Sequence, residues 1–373
     1  MKIALIHDYL NQYGGGERVL EVLMEMFPDA PIYTLLHDGE RTLNRFSNRV
    51  KATSFLDFSL ARRRHRLFIP LMPMAMKSLK ISEQYDLIIS DSAGFAKGFE
   101  QKPKTFHVSY IHTPLRYAWE QEYYLANIIS KPEILISKPI LNYLKKWDFD
   151  AAQKPDILIA NSNFIAEKIK KYYQRDVAKV IYPPVDTLQF YRDPELHTPN
   201  AKSYYLAAGR LLHYKKFDLV IEAFSKLKLP LKIAGGGPEL EKLKNQNARL
   251  KAGAEFLGFV SDDELRTLYN GARALIFPQV EDFGLVAAEA QVCGAPVIAF
   301  AGGGALEIIQ DGKTGIFFKE QNSESLAEAV RKFEHLKFDR NRISRIAMGR
   351  FAKNIFKDKM LELINGCFSF HEN

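Results

Sequence analysis

Apolar residues along this chain recur in two patterns. Short continuous runs, Lys2–His7, Ile32–Leu35, Leu87–Ser90, Val108–Ile111, Ile157–Ala160 and Val180–Tyr182, have the length and composition of buried strands. Between them the spacing shifts to that of helices, first from Glu17 to about Met26, where Val19, Leu20 and Leu23 share a face. At Tyr182-Pro183-Pro184-Val185-Asp186 the pattern breaks. A polar, proline-bearing stretch then runs to about Lys202, where an interdomain linker is expected. A second alternation follows: strand Tyr204–Ala208, helix from Phe217, strand Leu231–Ala234, helix from Pro238, strand Ala254–Leu257. Ser261-Asp262-Asp263-Glu264 has capping-box spacing and should start the next helix. Strand Ala274–Phe277, a helix, strand Pro296–Phe300 and a long amphipathic segment from Arg340 to Ile364 complete the chain. Two alternations around one linker predict an α/β protein of two parallel-sheet domains facing a cleft, the default place for a ligand.

A length of 373 residues agrees with two domains of ordinary size. The net charge of +8 calls for anionic partners: phosphorylated substrates, nucleic acid or an acidic membrane surface. No nucleic-acid-binding motif accompanies the charge. Cys293 and Cys367 have no metal-ligand spacing, and so sparse a use of cysteine suits a reducing compartment. The opening MKIALIH is too short for a signal sequence, and no apolar run approaches the roughly 20 residues of a membrane span. The expectation is a soluble chain, or a peripheral one.

The stretch with most chemistry is Phe277–Glu289, FPQVEDFGLVAAE. A strand closed by Pro278 leads to Glu281 and Asp282 in a loop, and Phe283-Gly284 leads into a helix marked by Leu285, Ala288 and Val292. Glu281 would then project from the mouth of a strand–helix turn, with Glu289 further down the helix. The helix's first N–H groups offer an anion site between them. Two carboxylates flanking an anion site suit a ligand with hydroxyls at both ends and phosphate in the middle, the layout of a nucleotide-sugar. A capping carboxylate before an ordinary amphipathic helix is the plainer reading.

Gly209-Arg210 ends a strand of the same domain, and Lys215-Lys216 follows before a helix. There Arg can grip a diphosphate with a bidentate fork and Lys as a point charge, although a solvated basic turn is the plainer reading of these residues alone. In the first half, the strand–loop–helix opening with Gly14-Gly15-Gly16 is half of a nucleotide-binding βαβ unit. It lacks the dinucleotide fingerprint, because Val19 stands where the last glycine belongs. His112 directly follows the strand Val108–Ile111, in SYIHTPLRYAW. It can hydrogen-bond a sugar hydroxyl or move a proton, and a histidine satisfied by backbone is as ordinary. Arg116, Tyr117 and Trp119 suit sugar stacking and plain packing alike.

Other signals compete. Gly312-Lys313-Thr314 imitates the end of a phosphate loop, but Glu307 occupies the place of its first glycine. Asp148-Phe149-Asp150 imitates a metal-binding Asp-x-Asp but follows Lys145, Lys146 and Trp147 in an apparent helix. Gly302-Gly303-Gly304 could line the cleft or form a tight turn. Arg62-Arg63-Arg64-His65-Arg66, followed by the apolar Leu67–Met76, has the composition of a membrane-surface segment and equally of a basic turn before a core helix.

Together these residues resemble the family-4 retaining glycosyltransferases, which have the two-Rossmann-domain GT-B fold. The resemblance runs over nearly the whole chain: Gly14-Gly15-Gly16-Glu17, Asn161-Ser162, the YPPVD run, Gly209-Arg210-Leu211 with Lys215, and Glu281 with Glu289. The run His112–Trp119 is similar to bacterial mannosyltransferases that build O-antigen, core and exopolysaccharide chains. The resemblance implies an N-terminal acceptor-side domain over 1–186 and a donor domain over 201–350. A C-terminal helix, 351–373, would cross back to the first domain. It implies catalytic roles for His112, against the donor sugar, and Glu281, on its hydroxyls. Glu289 would hold the ribose, and Arg210 and Lys215 the diphosphate. Amides around Phe283, Gly284, Leu285 and Val286, with Gly14, Gly15 and Gly16, would assist, and Phe259-Val260 would line the base. Lys216 departs from the family, where glycine often follows the lysine.

The function implied is transfer of a hexose, mannose from GDP-mannose, to a lipid-linked or lipopolysaccharide-type glycan, without a metal or other cofactor. The place implied is the cytoplasm, peripheral on the inner face of its membrane. The rivals are a same-fold sugar phosphorylase or nucleotide-sugar epimerase, and a non-catalytic nucleotide-sugar-binding subunit. The intact set Arg210, Lys215, Glu281 and Glu289 speaks against the last.

Overall fold

The computed structural model describes residues 1–81, 83–120, 131–196 and 204–369. The chain divides into two compact units, one of Met1–Tyr182 with Lys357–Asn373, the other of Pro183–Phe356. Each is an α/β unit on a parallel sheet.

In the first unit β1 (Ile3–His7), β2 (Ile32–Thr34), β3 (Val50–Thr53), β4 (Leu87–Ser92), β5 (Phe106–Ile111), β6 (Ile157–Ala160) and β7 (Lys179–Val180) form one sheet in the order β3-β2-β1-β4-β5-β6-β7. Its pairings are parallel. Central strands of such a sheet are covered on both faces, so they read as unbroken apolar runs. Ala4, Leu5, Ile6 and Ile89 are wholly buried. The order reverses between β1 and β4, and crevices at such switch points open at the strands' carboxyl ends. Register does the rest. It sets His7 opposite Asp91 and Ser92 opposite Ile111, so His112 follows at the same level.

The second unit repeats the plan with β8 (Tyr205–Ala208), β9 (Leu231–Ala234), β10 (Glu255–Gly258), β11 (Leu275–Phe277), β12 (Val297–Phe300) and β13 (Gly315–Phe318), in the order β10-β9-β8-β11-β12-β13. Tyr205, Phe224, Ile233, Ile276, Ile298 and Val330 belong to its core. Here the switch lies between β8 and β11. These are the strands that deliver Arg210 and Glu281.

Several boundaries differ from expectation. The first helix begins at Gly15, ahead of Glu17, so two of the three loop glycines form its first turn. The helix expected from Pro238 begins at Leu240. β3 and β13 carry no long apolar run and escaped the pattern. The closing segment is two helices, Arg340–Phe351 and Lys353–Ser369. Between them Ala352 is extended and bridges to Val185. Val185 N–H donates to the Phe351 carbonyl (2.7 Å), and Lys353 N–H donates to the Val185 carbonyl (3.1 Å). Lys353 also pairs with Asp186 at 3.0 Å. The YPPVD run thus supplies the partners that interrupt the helix. Beyond Phe356 the last helix belongs to the first unit, where Lys357 meets Glu25 at 2.8 Å and Lys179 meets Glu362. Of the expected linker, residues 197–202 lie outside the described residues. The expected capping box is present, Ser261 accepting from Glu264 N–H and Glu264 from Ser261 N–H.

Candidate active site

Each unit gathers part of the predicted set. In the first, β1, β4 and β5 end in a buried chain of ionisable groups. The carboxylate of Asp91, wholly buried, accepts from His7 Nδ1 at 2.9 Å and from His112 Nε2 at 2.5 Å. On its other side His7 Nε2 lies 3.8 Å from Glu17. Burial alone would lower the His7 pKa, but hydrogen bonds and charge from Asp91 and Glu17 outweigh it and raise the value to about 10. Burial would likewise raise Asp91, and the two histidines instead bring it down to about 2. Gly16 lies against this chain, where a side-chain carbon would stand 3.7 Å from His112 Nε2. Gly14 is the N-cap and Gly15 opens the helix. The structure thus brings Gly16 to His112 and Gly14 to Glu17. It holds the His112 backbone as well, by Asn161 Nδ2 on its carbonyl (3.0 Å) and by its own N–H on the Ser92 carbonyl (2.8 Å).

The run after His112 is anchored by Asp148. That buried carboxylate accepts from Leu115 N–H (3.2 Å), Trp119 Nε1 (2.8 Å) and the Tyr173 hydroxyl (2.7 Å), and pairs with Lys97 at 2.6 Å. The first aspartate of Asp148-Phe149-Asp150 is therefore a structural anchor, its ligand capacity already engaged. Among the described residues no cluster of three or more His, Cys, Asp or Glu could hold a metal ion.

In the second unit the central contact is an ion pair, Lys215 Nζ to Glu281 Oε1 at 2.9 Å, with both side chains mostly buried. Arg210 stands exposed one residue beyond Gly209. Backbones approach closely here. A side-chain carbon at Gly235 would sit 2.0 Å from the Gly209 carbonyl oxygen, so only glycine lets β8 and β9 end side by side. At Gly303 and Gly304 it would sit 2.4 Å from the Glu281 oxygen and 2.2 Å from the Phe283 oxygen. The Gly304 N–H donates to the Glu281 carbonyl at 2.9 Å. Gly302-Gly303-Gly304 is thus the bed on which the Glu281 loop rests.

Gly284, at φ 106°, caps the helix Leu285–Val292. Ala287 and Ala288 N–H turn back to its carbonyl, which leaves Leu285 and Val286 as the N-terminal amides of that helix. Phe283 is buried, and Leu285, Val286 and Val260 are partly so. Glu289 is buried about one turn down and accepts from the Tyr269 hydroxyl at 3.2 Å. Phe259, by contrast, is 91% exposed. Lys216 adopts φ 56°, the left-handed conformation that a glycine would take without strain. Gly312-Lys313-Thr314 is a plain turn into β13, closed by Gly312 N–H on the Gly315 carbonyl.

Two family models match this architecture, Glycosyltransferase Family 4 over residues 13–189 and Glycosyl transferases group 1 over residues 192–350. The chain belongs to the GT-B glycosyltransferases. An uncharacterized glycosyltransferase of Methanocaldococcus jannaschii is 36% identical over 132 residues, 34% of either chain. D-inositol 3-phosphate glycosyltransferase of Nocardioides sp. is 29% identical over 210 residues, 48% of this chain and 45% of that one. The chain spans about a third to a half of the length of these curated relatives. The crystal structure of Anabaena HepE in complex with UDP shares the fold, with a TM-score of 0.74 at 20% identity over 98% of this chain and 100% of that one.

Within this GT-B chain, sequence reasoning missed His7, Asp91 and Asp148 as parts of the site, and Gly235 as its support. A carboxylate closing an apolar strand, as Asp91 closes β4, was the available signal. No signal in the sequence placed Gly235 beside Gly209.

Proposed function

We propose that the protein is a cytoplasmic retaining hexosyltransferase that uses a nucleoside diphosphate sugar. GDP-mannose is the proposed donor and a lipid-linked or lipopolysaccharide-type glycan the acceptor. The observation that carries the proposal is the Lys215–Glu281 pair, with Glu281 on the loop that runs into the helix whose first amides are those of Leu285 and Val286. Lys215, Arg210 and those amides present positive charge where a diphosphate leaves. Glu281 presents an acceptor of hydrogen bonds where hexose hydroxyls lie. Glu289 takes the ribose, Val260 the base side, and His112, braced by Asp91, the donor hexose near its anomeric carbon.

Reaction breaks the bond between the anomeric carbon and the β-phosphate oxygen. Positive charge grows on the sugar and negative charge on the diphosphate, which preorganised cations and amides stabilise. The acceptor hydroxyl attacks from the leaving group's own face, and its proton passes to the departing phosphate oxygen. The chain's own charges serve the leaving group, so EDTA should leave turnover intact.

Mannose and GDP rest on the resemblance of His112–Trp119 to mannosyltransferases. The UDP bound to Anabaena HepE favours a second reading, a uridine donor. A thermal-shift panel of GDP-mannose, UDP-glucose, GDP and UDP separates them, since a ligand at 100 times its Kd stabilises by about 2.7 kcal/mol. Stabilisation by GDP-mannose and GDP is expected. Stabilisation by uridine compounds alone overturns the mannosyl assignment, and no response to any of them overturns the site.

A further inference from the structure

The first unit carries an apolar surface that its own packing does not use. Between β3 and β4 the chain forms a helix, Ser59–Arg63, a 3-10 stretch, His65–Leu71, and a second helix, Met72–Ser78. One side is core: Ala61, Ile69, Met72, Ala75 and Met76 are at most 8% exposed. The same segment exposes Phe55, Phe58, Leu60, Leu67, Leu71 and Met74, each 41 to 65%. Isolated apolar side chains on a surface are ordinary. Here six of the seventeen large exposed ones among the described residues fall within 55–74, a concentration on one segment that scatter does not give.

Charge selects the occupant. Arg63, Arg64, Arg66, Lys77 and Lys80 are exposed on the same segment, and no Asp or Glu occurs from Phe58 to Ile81. A nucleic acid would satisfy the cations and leave the apolar side chains in water. A bilayer with anionic headgroups satisfies both, phosphates meeting arginine while Phe, Leu and Met enter the acyl boundary.

We infer that Phe55–Lys80 is a docking surface for an anionic phospholipid bilayer. The surface is fastened to the loop that leads to Gly14–Gly16. Asn11 Nδ2 donates to the Arg62 carbonyl and to His65 Nδ1, both at 2.9 Å. The Tyr9 and His65 rings lie 4.8 Å apart. Docking therefore holds the glycine loop and its neighbour His112 at a fixed station relative to the membrane. That station suits a lipid-borne acceptor, a consequence that rests on the proposed function; the docking itself does not.

The test is flotation of the full chain with vesicles of phosphatidylcholine alone and of phosphatidylcholine mixed with phosphatidylglycerol, with no glycan or nucleotide present. Binding to the mixed vesicles alone is expected, reduced by salt yet not abolished, because the apolar contribution is unscreened. R63S/R64S/R66S should bind about a hundredfold more weakly, each arginine near an anionic leaflet contributing about fivefold. R63K/R64K/R66K should bind like the wild type. L67S/L71S/M74S should keep only a salt-sensitive remnant. In L67W the added indole should shift its emission to the blue on the mixed vesicles. Failure of the wild type to float, equal binding by both serine variants, or an unshifted L67W spectrum overturns the docking surface. Self-association lost in L67S/L71S/M74S, without any effect of vesicles, would assign the patch to a second copy instead.

Discussion

The two clusters reach a charged site by opposite means. In the first unit His7, Asp91 and Glu17 are buried and hydrogen-bonded or paired among themselves, and His112 exposes only its edge. In the second, Lys215 and Glu281 form a mostly buried pair, Arg210 is exposed, and glycine-permitted backbone contacts do the positioning. The first cluster is complete before any ligand arrives. The second holds a cation and a carboxylate against each other, so an incoming diphosphate and sugar hydroxyl substitute for partners already present. Damage to the buried His7, Asp91 and Glu17 of the first should therefore appear mainly as lost stability, and damage to the second mainly as lost turnover.

The largest effect should come from Lys215→Ala. Losing one preorganised cation at a leaving group should lower transfer about 100- to 1000-fold. The melting temperature should fall less than on loss of the wholly buried Asp91, since the Lys215–Glu281 pair keeps 14 and 19% of its side-chain exposure and is only partly desolvated. A melting loss without an activity loss would invert the comparison. Asp91→Asn comes next. It leaves a buried cationic His7 facing an amide, and removing one partner of a buried pair costs about 3–5 kcal/mol. Chemical denaturation measures it, and a loss typical of a surface residue would break the contrast.

The pH dependence sharpens it. His7 is raised from 6.5 to about 10, so its contribution is full below pH 6.5 and is lost as pH rises toward 10. His107, buried against Ser90 and Gln101, is lowered by burial to about 3. Its contribution is full above pH 6.5 and is lost as pH falls. Asp91 adds a further loss below its ordinary 3.8. Melting temperature should peak near pH 6.5, and His107→Gln should flatten the limb between about 6.5 and 4 without touching the alkaline one. The smallest effect is Lys216→Gly, which relieves a left-handed lysine and should stabilise by up to about 1 kcal/mol. A loss in that variant would mean that the turn needs the lysine side chain.

Strands, their parallel pairing and the two-unit division were legible because central strands buried on both faces carry unbroken apolar runs. Two of the edge strands, β3 and β13, were not: β3, VKAT, is only half-buried and looks like loop. The Arg340–Ile364 periodicity continues across Ala352, and the break comes from Val185, far away in sequence. In the site, Glu281, Lys215 and His112 were legible because each closes a strand or opens a helix. Asp91 was hidden because its meaning depends on the β1–β4 register, and Asp148 because its partners come from elements far apart in the chain. Gly303 and Gly304 read equally as lining a cleft or as a tight turn; that they support the Glu281 backbone is a fact of close packing that no local pattern carries.

The central claim is that Lys215 and its neighbours receive the donor's diphosphate. Calorimetric titration of GDP and UDP into the wild type, Lys215→Ala and Asp91→Asn tests it without knowing sugar or acceptor. One nucleotide should bind the wild type, and Lys215→Ala should weaken it about ten- to a hundredfold, the worth of a charge-assisted hydrogen bond. Folded Asp91→Asn should retain wild-type affinity. Equal affinity in the wild type and Lys215→Ala would contradict the account, because the diphosphate would then lie elsewhere.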